Sequence, residues 1–275
     1  MKQRAQGLAV ITGAASGMGE AVARRMTSDG WPVLLCDVNA KALAAIAEEL
    51  SALGEVRTLA GDLSSPDFAE RLASALDDEP VGALVHCAGL SSGMAEAARI
   101  VEVNLTGTLR LVDAVRPRMA EGGAAVLFTT MVGAGPKDGM LAGIQTVGDV
   151  PKLLAELAEP AEYASQRAYI GTKRAIQLLV RREAAAFGKR GARIVSLSPG
   201  IIDTPMSRHE QKKFPVMDQM LAVTPLGRMG MASEIASVVA FLCSPEASYV
   251  TGIDMLVDGG MVATRLSAGD ALPAL

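Results

Sequence analysis

Tyr169 stands four residues before Lys173 in the run Ala168-Tyr169-Ile170-Gly171-Thr172-Lys173. On a helix that spacing sets both side chains on one face, about one turn apart. A nearby ammonium favours the ionised form of a phenol, which makes a tyrosine usable as an acid or base near neutral pH. Tyrosine and lysine also meet at this spacing on ordinary surface helices, so the pair gains meaning only from its surroundings. Tyr163 is a rival, but Arg167 stands where its lysine is needed.

A second set of residues has the pattern of a phosphate cradle. Leu8-Ala-Val-Ile-Thr12 is a short apolar, β-branched run of the kind buried on both faces of a parallel sheet. Gly13-Ala-Ala-Ser16-Gly17-Met18-Gly19 follows at once, and then a helical stretch, Glu20 to Ser28. In a strand–turn–helix context Gly13 permits the tight turn, Gly17 lets the backbone approach a pyrophosphate, and Gly19 lets helix and strand pack closely. A second apolar run, Pro32 to Cys36, ends in Asp37, eighteen residues beyond Gly19. A carboxylate there accepts from the adenosine ribose hydroxyls and repels a 2′-phosphate, and neither Ser16 nor Val38 supplies a cation to attract one. NAD(H) is therefore expected over NADP(H). The competing role for Asp37 is to cap the helix that begins near Ala40.

The elements that must position these residues alternate along the whole chain. Helices are expected at Ala40–Leu53, Pro66–Leu76, Ala95–Met119, Ala168–Phe187 and Ser233–Leu242. Strands are expected at Glu55–Ala60, Val81–Cys87, Ala124–Thr130, Arg193–Ser198 and Ile253–Val257. Such alternation implies right-handed βαβ units and an α/β fold, a doubly wound parallel sheet of about seven strands with helices on both faces. No linker divides the 275 residues, so a single domain is expected over 1–275. Two stretches break the rhythm, a glycine-rich segment spanning 132–166 and an irregular one spanning 201–228. Each follows the carboxyl end of a strand, where ligands bind in open α/β sheets. The first is bracketed by catalytic candidates and reads as a lid. Met140, Leu141, Ile144, Met206, Phe214, Met217 and Met220 would line an apolar pocket.

Composition narrows the function classes. Half the residues are hydrophobic, yet no apolar run is long enough to span a bilayer. Acidic residues number 30 against 26 basic ones, a net charge of −4 without a basic cluster, which argues against a nucleic-acid surface. Cys36, Cys87 and Cys243 lack metal-ligand spacing and read as reduced core residues of a cytoplasmic protein, with no metal site. His86 and His209 invite a triad reading, but His86 sits at a strand end and needs no role beyond packing or a hydrogen bond.

Together the motifs resemble the short-chain dehydrogenase/reductase family over nearly the whole chain. The matching pieces are Thr12 to Gly19, Asp62-Leu63, Cys87-Ala88-Gly89, Asn104, Tyr169-x-x-x-Lys173, Pro199-Gly200 and Thr251-Gly-x-Asp-x-x-Val-Asp-Gly-Gly260. Two departures stand out: the family's Asn-Ala-Gly is Cys87-Ala88-Gly89 here, and its catalytic serine falls on Thr130. The resemblance implies a Rossmann fold and a nicotinamide cofactor held by Gly13, Ser16, Gly17, Met18, Gly19 and Asp37, with Asp62 and Leu63 at the adenine. Cys87, Ala88 and Gly89 would flank the adenosine side, Ile202 and Thr204 the nicotinamide amide, and Tyr169 and Lys173 the nicotinamide ribose. It further implies Tyr169 as acid/base, Lys173 lowering its pKa, Thr130 as the partner hydroxyl, and Asn104 holding a relay water. Thr129, Thr146, Ser165, Ser91 and Ser92 are rival hydroxyls, and on a strand Thr129 and Thr130 face opposite ways. The segment spanning 132–166 is similar to an insertion in divergent hydroxysteroid dehydrogenase/carbonyl reductase members. The function implied is interconversion of a secondary alcohol, hydrophobic and cyclic or steroid-like, with its ketone, in a homo-oligomer, commonly a tetramer. The alternative is a catalytically degenerate NAD(H)-binding regulator, with Thr130 marking lost catalysis.

Overall fold

The computed structural model describes residues 6–131, 146–157, 161–214 and 216–268. The expected lid segment lies partly outside them, as do the pocket candidates Met140, Leu141 and Ile144. β1 (Leu8–Thr12), β2 (Val33–Asp37), β3 (Val56–Ala60), β4 (Val81–His86), β5 (Met119–Phe128), β6 (Arg193–Pro199) and β9 (Asp254–Val257) form one seven-stranded parallel sheet in the order β3-β2-β1-β4-β5-β6-β9. β7 (Ile202–Asp203) and β8 (Gly230–Met231) form a small separate pair. The sheet order reverses between β1 and β4, and the carboxyl ends of those strands open the cleft that a doubly wound sheet offers a ligand.

Period-two patterning explains the two layers. Leu8, Val10, Leu34 and Leu84 point to one face, where they meet α3 (Phe68–Leu76), α5 (Gly107–Val115) and α7 (Ala164–Gly188). Ala9, Ile11, Val33, Leu35 and Val85 point to the other, against α1 (Gly17–Ser28), α2 (Ala40–Leu50) and α10 (Ala232–Cys243). All five residues of β1 are buried, as a strand covered on both faces requires. Each large side chain so buried contributes about 1.5–3 kcal/mol.

Several boundaries differ from the sequence reading. The helix expected over Ala95–Met119 is α4 (Ala97–Val101), a π-helical turn (Glu102–Thr106) and α5, with a 3₁₀ turn at Arg116–Arg118. Pro117 lacks the N–H an α-helix needs, so α5 gives way to the 3₁₀ turn at Arg116, which keeps helical dihedrals, and β5 starts at Met119. α6 (Val150–Leu157) lies within the segment spanning 132–166. α7 begins four residues before Ala168, at Ala164. The irregular stretch spanning 201–228 contains α8 (Pro205–Lys213) and α9 (Val216–Ala222). α11 (Met261–Ala268) follows β9.

Candidate active site

The glycine-rich turn is built by steric need. Gly13 has φ +69°, and a Cβ there would lie 2.7 Å from Ala88 N. At Gly19 a Cβ would lie 2.0 Å from the Gly13 carbonyl oxygen. α1 therefore starts hard against the end of β1, and the side chain of its N-cap Ser16 makes no capping bond. The amides of the first turn are left for a ligand, as a helix terminus that binds an anion requires. A cleft of about 320 Å³ lies there. Gly13, Ser16, Gly17, Met18, Gly19, Asp37, Asp62, Leu63, Cys87, Ala88, Gly89 and Thr204 all line it. The arrangement fits a dinucleotide.

Asp37 lies at the cleft's far end. Its Oδ2 accepts from Ala15 N at 3.0 Å and its Oδ1 from Asn39 N at 2.9 Å. The cap of α2 is Asn39, whose Oδ1 accepts from Ala42 N at 3.1 Å, so Asp37 does not cap that helix. Asp62 is tied by Arg99, an ion pair with Nη2, and by Ser64, whose N and Oγ donate at 2.9 and 2.7 Å. Burial pulls its carboxyl up, but these bonds outweigh it and hold Asp62 below the usual carboxylate range. Arg99, which the sequence reading missed, lines the cleft beside Asp62.

A second cavity, of about 580 Å³, adjoins the first; Met18, Thr204 and Met206 line both. Its wall is mostly apolar, with Met206, Phe214, Met217 and Met220 as expected and also Met131, Ile170, Ile201, Ile202 and Val216. Tyr169 and Thr130 face it. The Thr130 hydroxyl is hydrogen-bonded to the Tyr169 phenol. Contrary to the lowering expected from Lys173, burial pushes that phenol above the usual tyrosine range; the Thr130 bond opposes the rise, and the Glu210 carboxylate adds to it. Lys173 Nζ donates to Phe128 O at 2.9 Å, and burial lowers its ammonium to about 8. Asn104 Oδ1 accepts from Leu90 N at 2.8 Å and Nδ2 donates to Leu90 O at 2.9 Å. Asn104 Oδ1 and Lys173 Nζ converge: each lies 3.2 Å from where a Cβ on Gly89 would stand.

Of the rival hydroxyls, Thr129, Ser91 and Ser92 also line the second cavity. Thr129 Oγ1 donates toward Asp254 Oδ1 at 3.0 Å and meets Ser198 Oγ at 2.8 Å. Thr146 caps a 3₁₀ turn through Asp149. Ser91 Oγ donates to Glu210 Oε1 at 2.7 Å. Ser165 lies in the first turn of α7, and Ser92 lines the second cavity. Tyr163 is half exposed and lines neither cavity.

His86 does more than pack. Its Nδ1 lies 2.7 Å from Thr12 Oγ1 and its Nε2 lies 2.8 Å from Thr108 Oγ1. Thr108 spends its proton on Asn104 O at 2.6 Å, so His86 Nε2 must donate and Nδ1 must accept from Thr12. Ala88 N donates to Thr12 Oγ1 at 3.3 Å. A directed chain thus runs from the glycine-rich turn to the backbone of Asn104. Burial first, and then the Lys173 ammonium, lower the imidazole from 6.5 to about 3. Protonation favours the unfolded state here, so this stability is full above pH 6.5 and is lost as pH falls toward 3. Thermal unfolding midpoints of wild type should fall more steeply across that window than those of His86→Gln; parallel slopes would show that His86 does not set the acid limit.

Among the described residues no cluster of histidine, cysteine and carboxylate could hold a metal, and no helix is long and apolar enough to cross a membrane.

A family model described as short chain dehydrogenase matches residues 7–142, and one described as Enoyl-(Acyl carrier protein) reductase matches residues 154–262. The 3-alpha-hydroxysteroid dehydrogenase/carbonyl reductase of Comamonas testosteroni is 31% identical over 92% of this chain and 95% of its own. The chain belongs to the short-chain dehydrogenase/reductase family. The galactitol 2-dehydrogenase (L-tagatose-forming) of Cereibacter sphaeroides is 32% identical over 92% of this chain and 93% of its own. Among solved structures, a short-chain dehydrogenase/reductase described as glucose/ribitol dehydrogenase, from Brucella melitensis, superposes with a TM-score of 0.74 at 29% identity. That match covers 95% of this chain and 99% of the other. The chain is accordingly an oxidoreductase of this family, whose members bind a nicotinamide cofactor.

Proposed function

We propose that the protein is an NAD(H)-dependent oxidoreductase that interconverts a hydrophobic secondary alcohol, cyclic or steroid-like, with its ketone, using Tyr169 as acid/base. The observation that carries this reading is the meeting of Tyr169 and Thr130 on the wall of an apolar cavity that adjoins the dinucleotide cleft. When bound, the nicotinamide cofactor supplies or accepts the hydride.

The chain's own residues orient the reactants and move the proton. In reduction Tyr169 Oη gives its proton to the carbonyl oxygen, and in oxidation it takes the alcohol proton. Its raised phenol is protonated at neutral pH in the free protein, which suits the acid role. Thr130 Oγ1 donates to the same substrate oxygen and fixes the phenol's direction. Lys173 would hold the nicotinamide ribose, and Asn104, whose side chain is bonded to the backbone of Leu90 at both ends, would hold a relay water. The apolar wall excludes bulk water and positions the substrate. The similarity to the Comamonas testosteroni enzyme supports a cyclic substrate. A panel of cyclic and acyclic ketones and alcohols, followed by NADH absorbance, tests the reading; absence of turnover on every member would favour the regulatory alternative.

Asp37 carries the cofactor preference in this reading. Asp37→Ala should shift the ratio of kcat/KM for NAD(H) over NADP(H) toward NADP(H) by at least about tenfold, the worth of one close charge contact. An unchanged ratio would assign Asp37 only to ordering Ala15 and Asn39. The same family reading carries a cytoplasmic homotetramer. Phe241 on α10 and Ile253 and Leu256 at β9 are exposed apolar side chains that would suit it.

A further inference from the structure

The substrate cavity holds a charged group that the acid/base chemistry does not use. Glu210, on α8, is the sole carboxylate among the described residues that line it. Its Oε1 accepts from Ser91 Oγ at 2.7 Å and from Gly93 N at 2.9 Å. Both donors belong to the loop after β4, so the carboxylate is pinned from across the cavity mouth. A Cβ at residue 93 would lie 2.3 Å from Oε1, so this approach exists because residue 93 is glycine. Lys213 Nζ donates to Gly93 O and closes the same contact from the last turn of α8. Ser91 is buried, and its hydroxyl proton is committed to Glu210. The charge is felt at the reacting centre, since Glu210 raises the Tyr169 phenol. Arg167, the other charged side chain on the wall, is itself engaged.

A carboxylate fixed by two donors at one oxygen keeps its second oxygen for a ligand. Oε2 accepts from none of the described residues. We propose that Glu210 is a specificity-determining residue that selects neutral substrates bearing a second hydroxyl remote from the reacting carbon and rejects those bearing an anionic group there. The hydroxyl donates to Oε2; an anion meets a like charge in a partly desolvated wall. This inference rests on the alcohol/ketone reading above and names the substrate class within it.

Three alcohols that differ at one position test it: cyclohexanol, cyclohexane-1,4-diol and 4-hydroxycyclohexanecarboxylate. In the wild type the diol should exceed cyclohexanol in kcat/KM by about tenfold, the worth of one hydrogen bond to a charged acceptor, and the carboxylate should fall below it by at least as much. Glu210→Gln should raise the carboxylate relative to cyclohexanol by about tenfold or more, and Glu210→Ala should abolish the diol preference. Ratios between substrates cancel any general loosening of α8. Ser91→Ala removes a clamp and keeps the charge, so it should keep the rejection of the carboxylate. The proposal is overturned if both Glu210 variants leave the ratios unchanged, or if Ser91→Ala loses that rejection as fully as Glu210→Gln. Should the wild type turn over none of the three, the alcohol reading fails. Calorimetric binding of the diol and the carboxylate to wild type and Glu210→Gln then decides for Glu210, which requires the same order of preference and its loss in the variant.

Discussion

Tyr169→Phe should lower turnover by about 10²–10⁴-fold, the usual worth of a positioned acid or base, while cofactor affinity stays within about twofold. The substitution removes one oxygen and leaves the ring, so the packing of α7 against the sheet is preserved. Tyr169 lines the second cavity, whereas the first cleft is lined by the glycine-rich turn and the ends of β2 and β4. Loss should therefore appear in kcat and be nearly silent in a fluorescence titration with NADH. The Thr130 hydroxyl, deprived of its partner, can still donate to the substrate oxygen, which sets the floor of residual activity. Turnover equal to wild type would remove Tyr169 from the chemistry and with it the proposed function.

The second large effect is expected from Gly19→Ala, and it acts on the fold first. A Cβ at residue 19 would stand 2.0 Å from the Gly13 carbonyl oxygen, backbone against side chain, with no rotamer to relieve it. Either α1 retreats from β1 or the turn opens. Overpacking of this kind costs about 1–3 kcal/mol and occasionally more. Because the same turn aims the first amides of α1, cofactor affinity should fall together with stability. Gly17→Ala makes the contrast. Its φ of +58° strains an alanine by about 1–2 kcal/mol, yet its nearest neighbour, Thr204, lies 3.4 Å from the added carbon. Urea unfolding should therefore rank wild type above Gly17→Ala above Gly19→Ala, and the reverse order of the two variants would show that the helix–strand contact has slack.

Features that depend on near neighbours are legible in the amino-acid sequence. β1, the glycine-rich turn and α1 follow one another within a short stretch, and the role of Gly19 is set by Gly13 close beside it in the chain. The parallel sheet follows from apolar runs short enough to be buried on both faces. Tyr169 and Lys173 are legible because a helix fixes their relative direction by spacing alone. Partners far apart in sequence are not. Glu210 meets Ser91 across 119 positions, and Thr129 meets Asp254 across 125. No local pattern marks either. The sequence allows His86 packing or a hydrogen bond but does not show its partners, because Thr12 and Thr108 lie 74 and 22 positions away. Pro117 is a different case: it stands in the sequence as a stop signal, and the apolar period running through Val115 masks it.

The π-helical turn at Glu102–Thr106 has a consequence for how one helix serves two neighbours. Gly107 N donates to Glu102 O, five residues back, so the turn holds one residue more than an α-helix would give it. An α-helix advances about 100° per residue, and one extra residue offsets the angular phase of everything downstream by roughly that amount. α4 packs on α7, which carries Tyr169 and Lys173, while α5 packs on α3 at the far side of the layer. Without the offset, a single rigid phase would have to satisfy both contacts. With it, Asn104 sits at the joint where the two phases meet, its side chain bonded to Leu90 and close to Lys173.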